Sequence, residues 1–111
     1  MWHPALYADI DDMIQTAETL MEPALKAFWQ KISIVPQKWH CSPMGDLGGG
    51  FWVVAVVGQW CLYYNDIEEG FNGSEFAEFG RIGDYACNQS DLLSFVRSHH
   101  QDFLKAVAFA D

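Results

Sequence analysis

Basic residues are scarce in this chain. Its 111 residues hold 6 Lys+Arg against 15 Asp+Glu, a formal net charge of −9. A surface this acidic repels nucleic-acid phosphates and anionic lipid headgroups, so neither nucleic acid nor membrane is an expected partner. Long apolar runs are missing as well. The longest, Phe51 to Val57, has the length of a strand and falls far short of the roughly 20 residues that span a bilayer. Cysteine is sparse: Cys41, Cys61 and Cys87 are odd in number and contain no close pair, which makes a poor disulfide framework. The opening MWHPALYADIDDM has no basic region and no apolar signal core, so the expectation is a cytoplasmic protein with reduced thiols.

The signatures of chemistry are also wanting. There is no C-x-x-C and no H-x-x-x-H pair, so His3, His40, His99 and His100 do not combine with the cysteines into a zinc motif. His99 and His100 are helical neighbours whose side chains diverge by about 100°, so one is expected against the core and the other in solvent. The Gly48-Gly49-Gly50 run has no Lys-Ser or Lys-Thr after it and leads into a strand, which leaves no helix N-terminus for a phosphate. Asp66, Glu68 and Glu69 do not follow the spacing of a calcium loop. Cys61 reads as a small core residue, and Cys87, just before a helix, as the more reactive thiol. The sequence offers no catalytic, metal-binding or cofactor-binding residue.

What the chain does have is apolar and aromatic mass. Half its residues are hydrophobic and 15% are aromatic, enough for one domain, 1–111, with a core that needs no staples. Helical spacing runs from residue 4 to about 32, with Leu6, Ile10, Met13, Ala17, Leu20 and Ala24 on one face. Pro23 predicts a break near Met21-Glu22 and a second helix from Pro23 to about Ile32 that buries some of Leu25, Phe28, Trp29 and Ile32. Ser33 to Cys41 reads as extended, an edge strand or a strand preceded by a turn because of Pro36, and Ser42 to Gly50 as a loop. Phe51 to Val57 and Trp60 to Asn65 are strands joined by a tight Gly58-Gln59 hairpin, the first apolar on both faces and therefore central. Asp66 to Ser74 reads as a loop and Phe79 to Tyr85 as a further strand. Ser90 to about Ala108 is a helix capped by Ser90 or Asn88, with Leu92, Leu93, Val96, Phe103, Leu104 and Val107 inward. The fold class that follows is α+β: an antiparallel sheet of three to five strands, N-terminal helices, and a C-terminal helix packed on the sheet.

The charge is unevenly spread. Residues 1–22 carry five acids and no base, while residues 66–84 carry Asp66, Glu68, Glu69, Glu75, Glu78 and Asp84 against Arg81. Phe71, Phe76 and Phe79 are interleaved with this second block. Acid mixed with aromatic is the composition of an interface facing a basic partner. The phenylalanines either point outward as anchors or inward, leaving only the acids on the surface.

The run W-C-L-Y-Y-N-D-I-E-E-G-F-N-x-S from Trp60, then G-R-I-G-D-Y and Q-S-D-L-L, resembles bacterial immunity proteins of contact-dependent growth inhibition and related polymorphic toxin systems. The resemblance covers about a third of the chain. It implies a protein without chemistry of its own that binds a cognate protein toxin, a basic nuclease, and blocks its active site or substrate-binding face. The partner-binding residues it suggests are Asp66, Glu68, Glu69, Glu75 and Glu78, with Phe71 or Phe76 as anchor. The alternative is a small ligand-binding or enzymatic α+β domain with a pocket between sheet and helices.

Overall fold

The structure is a computed structural model and describes residues 2–108. Its elements run α1 (Tyr7–Leu20), α2 (Pro23–Ile32), β1 (Ser33–Trp39), a 3-10 turn (Asp46–Gly48), β2 (Phe51–Val57), β3 (Trp60–Asn65), β4 (Gly70–Glu75) and α3 (Leu92–Ala108). The strands form one antiparallel sheet in the order β1-β2-β3-β4. The expected α+β class is what the chain adopts.

Pro23 sits in the first turn of α2, where its missing N–H costs no hydrogen bond. The two residues before it, Met21 and Glu22, are extended, as the steric demand of a proline requires of Glu22. Leu25, Phe28, Trp29 and Ile32, at steps of three and four, are all buried. The buried face of α1 is narrower than its spacing suggests. Ile10, Ala17 and Met21 are inward, whereas Leu6 and Leu20 are exposed. The Trp29 indole donates to Glu18 at 2.9 Å and ties the two helices together.

The sheet is covered on both faces, which explains the unbroken apolar run of β2. Val54, Ala55, Leu62, Tyr64 and Phe71 pack against α1, α2 and α3. Phe51, Val53, Cys61 and Tyr63 face the other way, onto Trp39, Cys41, Phe76 and Ile82. Strict alternation would turn Val54 and Ala55 to opposite faces. A bulge between Val53 and Ala55 lets both reach the helix side. The hairpin from β2 to β3 turns at Gly58, with φ 59°, a left-handed value that glycine adopts without steric cost.

Two expectations about the sheet need correcting. The loop expected from Asp66 to Ser74 is only a turn at residues 66–69. Gly70–Glu75 then pairs with β3 along its whole length, and glycines at 70 and 73 had disguised it. Conversely, Phe79 to Tyr85 is not a strand of the sheet. Residues 76–91 run irregularly across the second face, and Arg81 makes only isolated bridges, to His40 and to Glu78. Side chains of the sheet hold this segment in place. Tyr63 Oη accepts from the Ala86 N–H at 2.8 Å, Asn65 Nδ2 donates to the Ala86 carbonyl at 2.9 Å, and Ser74 Oγ accepts from the Asp84 N–H at 2.8 Å.

α3 begins at Leu92, and its cap is Asp91 rather than Ser90 or Asn88: the Asp91 carboxylate accepts from the Ser94 N–H at 2.8 Å. Leu92 and Val96 are buried as expected, while Leu104 is exposed. The side chains of Phe103 and Val107 lie outside the described residues. Neither histidine of the pair is free in solvent. The His99 ring packs on Trp60 and Phe95, with centroids 5.1 and 4.9 Å away, and His100 on Phe28 at 4.8 Å.

Candidate functional site

The turn between β3 and β4 is built by Asn65. Its Oδ1 accepts from the N–H groups of Ile67 and Glu68, at 3.0 and 3.2 Å, and bends the chain back on itself. Glu69 then takes φ 58°, a left-handed conformation that costs a non-glycine residue about 1 kcal/mol. The N-terminal segment is laced to this turn. Asp66 Oδ2 accepts from the Ala5 N–H at 2.8 Å, and the Asp66 carbonyl accepts from the Trp2 indole at 3.0 Å. The Trp52 indole donates to the Ala5 carbonyl at 2.8 Å. α1 therefore starts beside the turn, and its acids join those of residues 66–69.

Two open hollows meet there. One, about 410 Å³, lies between the first turns of α1 and the β3–β4 turn, with Asp9, Asp12, Asp66 and Glu69 in its wall. The other, about 520 Å³, runs between α1 and the start of α3 and holds Asp12, Glu69 and Asp91 above an apolar floor. Asp12, Met13, Tyr64 and Glu69 line both, so the two form one trough. Among the described residues no lysine or arginine lines it. Burial raises the Tyr64 phenol above its ordinary pKa, and the carboxylates Glu69, Asp66 and Asp9 push it the same way.

The sequence-predicted residues divide between two ends of β4. Asp66, Glu68 and Glu69 stand at the trough. Glu75 and Glu78 lie past the far end of the strand, with Glu75 opposite Trp60, roughly 17 Å away for five strand steps. Glu68 is half-buried, and Glu69, Glu75 and Glu78 are exposed. Phe71 and Phe76 are 2% and 8% exposed, so of the two orientations left open for the phenylalanines these take the inward one. Phe79 is the outward one, 64% exposed and resting on Trp39 with centroids 4.7 Å apart. At that far end Glu78 is paired with Arg81 at 3.5 Å. Asp66 is only 8% exposed, and its Oδ1 is buried without a hydrogen-bond partner.

Asp9, Asp12 and Asp91 were not among the predicted residues. Asp9 and Asp12 stand three apart on α1, hence on one helix face. That spacing is a legible signal, masked at Asp9 because an acid in a first turn also suits the helix dipole. For Asp91 nothing in the sequence points to the trough.

Burial pushes the Cys61 thiol up to about 12 and raises Cys41 as well, so both are poor nucleophiles. The Tyr63 phenol is pushed up to about 12, again by burial. Among the described residues no group of His, Cys, Asp and Glu is arranged to hold a metal ion, and no helix is long and apolar enough to cross a membrane. The space between sheet and α3, lined by Ile32, Leu62, Val96 and His99, is about 10 Å³, room for no more than one water. Compared with protein-family models, with curated proteins and with solved structures, the chain gives no match.

Proposed function

We propose that the protein is an immunity protein: it binds a basic protein toxin and neutralises it by covering the toxin's phosphate-binding face. The observation that carries the reading is the trough. Carboxylates from α1, the β3–β4 turn and the head of α3 converge on an open surface that no described lysine or arginine lines. A nuclease must be basic where it meets phosphate, so an inhibitor that presents fixed carboxylates competes for the same groups. It also gains a fast, electrostatically steered encounter. The competing reading, a pocket between sheet and helices that takes a small substrate, would use the apolar floor of the same trough, where Tyr64 and Phe71 of the sheet meet Ala17, Leu20 and Leu92 of the helices; the open rim of carboxylates favours a protein partner over an enclosed substrate.

The test is protection. The neighbouring gene should encode a protein with a basic, toxic C-terminal domain, and cells that express that domain should survive when this chain is co-expressed. They should lose that protection when it carries Glu68→Lys and Glu69→Lys. No protection by the natural chain overturns the immunity reading, and full protection by the double variant removes the β3–β4 turn from the interface.

A further inference from the structure

We infer that the trough receives one arginine of the partner together with the apolar residues beside it: the guanidinium enters next to Asp66, and the apolar side chains settle on Met13, Leu20 and Leu93. This deepens the reading above and rests on the partner being a basic protein.

The argument starts from Asp66. An ionised carboxylate has about four acceptor sites. Asp66 is more than nine-tenths buried and is given one donor, the Ala5 N–H, leaving Oδ1 with none. A buried charge with an empty oxygen is costly unless something pairs with it. Asp66 lines the smaller hollow, and the χ2 torsion of an aspartate is broad. A modest rotation therefore offers Oδ1 to a donor seated there. Asp9, Asp12 and Glu69 stand in the same wall, which also holds His3 but no described lysine or arginine. Their mutual repulsion falls when a cation arrives.

The chemistry of that cation can be narrowed. The acids are not gathered into a chelating group, so a metal ion does not fit. An ammonium is a compact, strongly hydrated point charge. A guanidinium is planar, weakly hydrated and has five donors in a fork, which suits carboxylates set apart around a hollow. Tyr64 lines both hollows, which sets an aromatic residue within reach of it. Beyond Tyr64 the trough becomes apolar. Leu20 there is 61% exposed on α1, with Met13 and Leu93 half-buried around it. Charge at one end and grease at the other match an arginine flanked by apolar residues, the composition of an interface anchor.

Three peptides serve as probes: acetyl-Leu-Arg-Leu-amide, its Lys counterpart and its norleucine counterpart. Each is titrated into the full-length protein and followed by 1H–15N NMR. The reporters are the Ala5 amide and the Trp2 and Trp52 indole N–H signals, all hydrogen-bonded at the site. The Arg peptide should shift these signals saturably. It should bind at least fivefold tighter than the Lys peptide and at least tenfold tighter than the norleucine peptide. Asp66→Asn should weaken it at least tenfold. The exposed pair Asp12→Asn and Glu69→Gln, which leaves the core untouched, should do the same and decides the matter if Asp66→Asn does not fold. No saturable shift, equal binding of the norleucine peptide, or undiminished binding to the exposed double variant overturns the proposal. Spermidine binding as tightly as the Arg peptide also overturns it, in favour of a small-polyamine site. Peptide binding without protection of cells would sink the immunity reading and leave the trough standing. Protection without peptide binding would do the reverse.

Discussion

The side-chain amide of Asn72 grips the backbone of Asn88 from both sides. Its Nδ2 donates to the Asn88 carbonyl at 3.0 Å, and its Oδ1 accepts from the Asn88 N–H at 2.9 Å. Asn72 is fully buried, so this is a strand side chain acting as a peptide partner for an irregular segment. Replacing it by alanine leaves the Asn88 N–H and carbonyl, both in part-buried bonds, without these partners. Asn72→Ala should cost about 2–4 kcal/mol, measured as a lower urea midpoint with an unchanged slope.

Gly70 makes the same segment's approach possible. A Cβ there would fall on the Asn88 carbonyl oxygen and the Gln89 Cα, which are backbone atoms that cannot swing aside. Gly70→Ala should therefore push residues 88–90 off the edge of β4, where the Phe71 N–H donates to the Ser90 carbonyl at 2.8 Å. We expect a loss of about 2 kcal/mol or more, together with faster amide exchange at Phe71. Ordinary protection at Phe71 in the variant would show that the segment adapts.

These two contacts explain which parts of the fold were readable from sequence. Phe51–Val57, Trp60–Asn65 and the break before Pro23 follow from local propensity, and all three stand where expected. β4, Gly-Phe-Asn-Gly-Ser-Glu, has the composition of a loop. Its glycines are there because Asn88 and the Trp60 ring pass over them, a tertiary demand that leaves no local mark. The same holds at the site. A run of acids from 66 to 78 reads as one patch along the chain, but β4 carries Glu75 and Glu78 away from Glu69. Asp12 and Asp91 come in from sequence positions far apart. The Phe71 and Phe76 side chains turn inward because each belongs to one of the two covered faces of the sheet.

The thiols offer a direct check of the second face. Cys87 is exposed, while Cys41 and Cys61 are buried. With Cys61 pushed up to about 12, its thiolate is negligible at pH 8. An aromatic disulfide reagent should release one equivalent of thiolate from the folded protein within minutes, and three in denaturant. The Cys87→Ser variant should release almost none while folded. Rapid reaction of a second thiol would mean that residues 76–91 open readily.

Acid should destabilise the protein through His99. Burial between Trp60 and Phe95 lowers its pKa from the ordinary 6.5, against a weaker opposing pull from Asp102. The unfolded chain thus takes up the proton first, and stability falls as the pH drops through about 6.5 and continues to fall until the folded-state value is passed. Above about pH 7.5 the group contributes no pH dependence. His99→Gln should flatten the thermal-melting curve between pH 7 and 5.5. An unchanged slope in that interval would assign the acid limb to other groups.

Glu69 sets stability against binding. Its φ of 58° is the one left-handed value at a non-glycine position among the described residues, and it falls in the wall of the trough. Backbone strain kept at a surface turn is accounted for if the side chain is needed there. Glu69→Gly relieves the strain and should raise unfolding free energy by up to about 1 kcal/mol, less some extra chain entropy. Glu69→Gln keeps the strain and should leave stability within about 0.5 kcal/mol. Both remove the carboxylate, so both should weaken the Arg peptide and slow association with a basic toxin, most visibly at low salt. The opposite end of β4 provides the control: Glu75→Gln with Phe79→Ala should leave peptide affinity unchanged, since neither residue lines the trough. If the control weakens the peptide as much as Glu69→Gln does, the binding surface is the one at Phe79, and the strain at Glu69 has no functional counterpart.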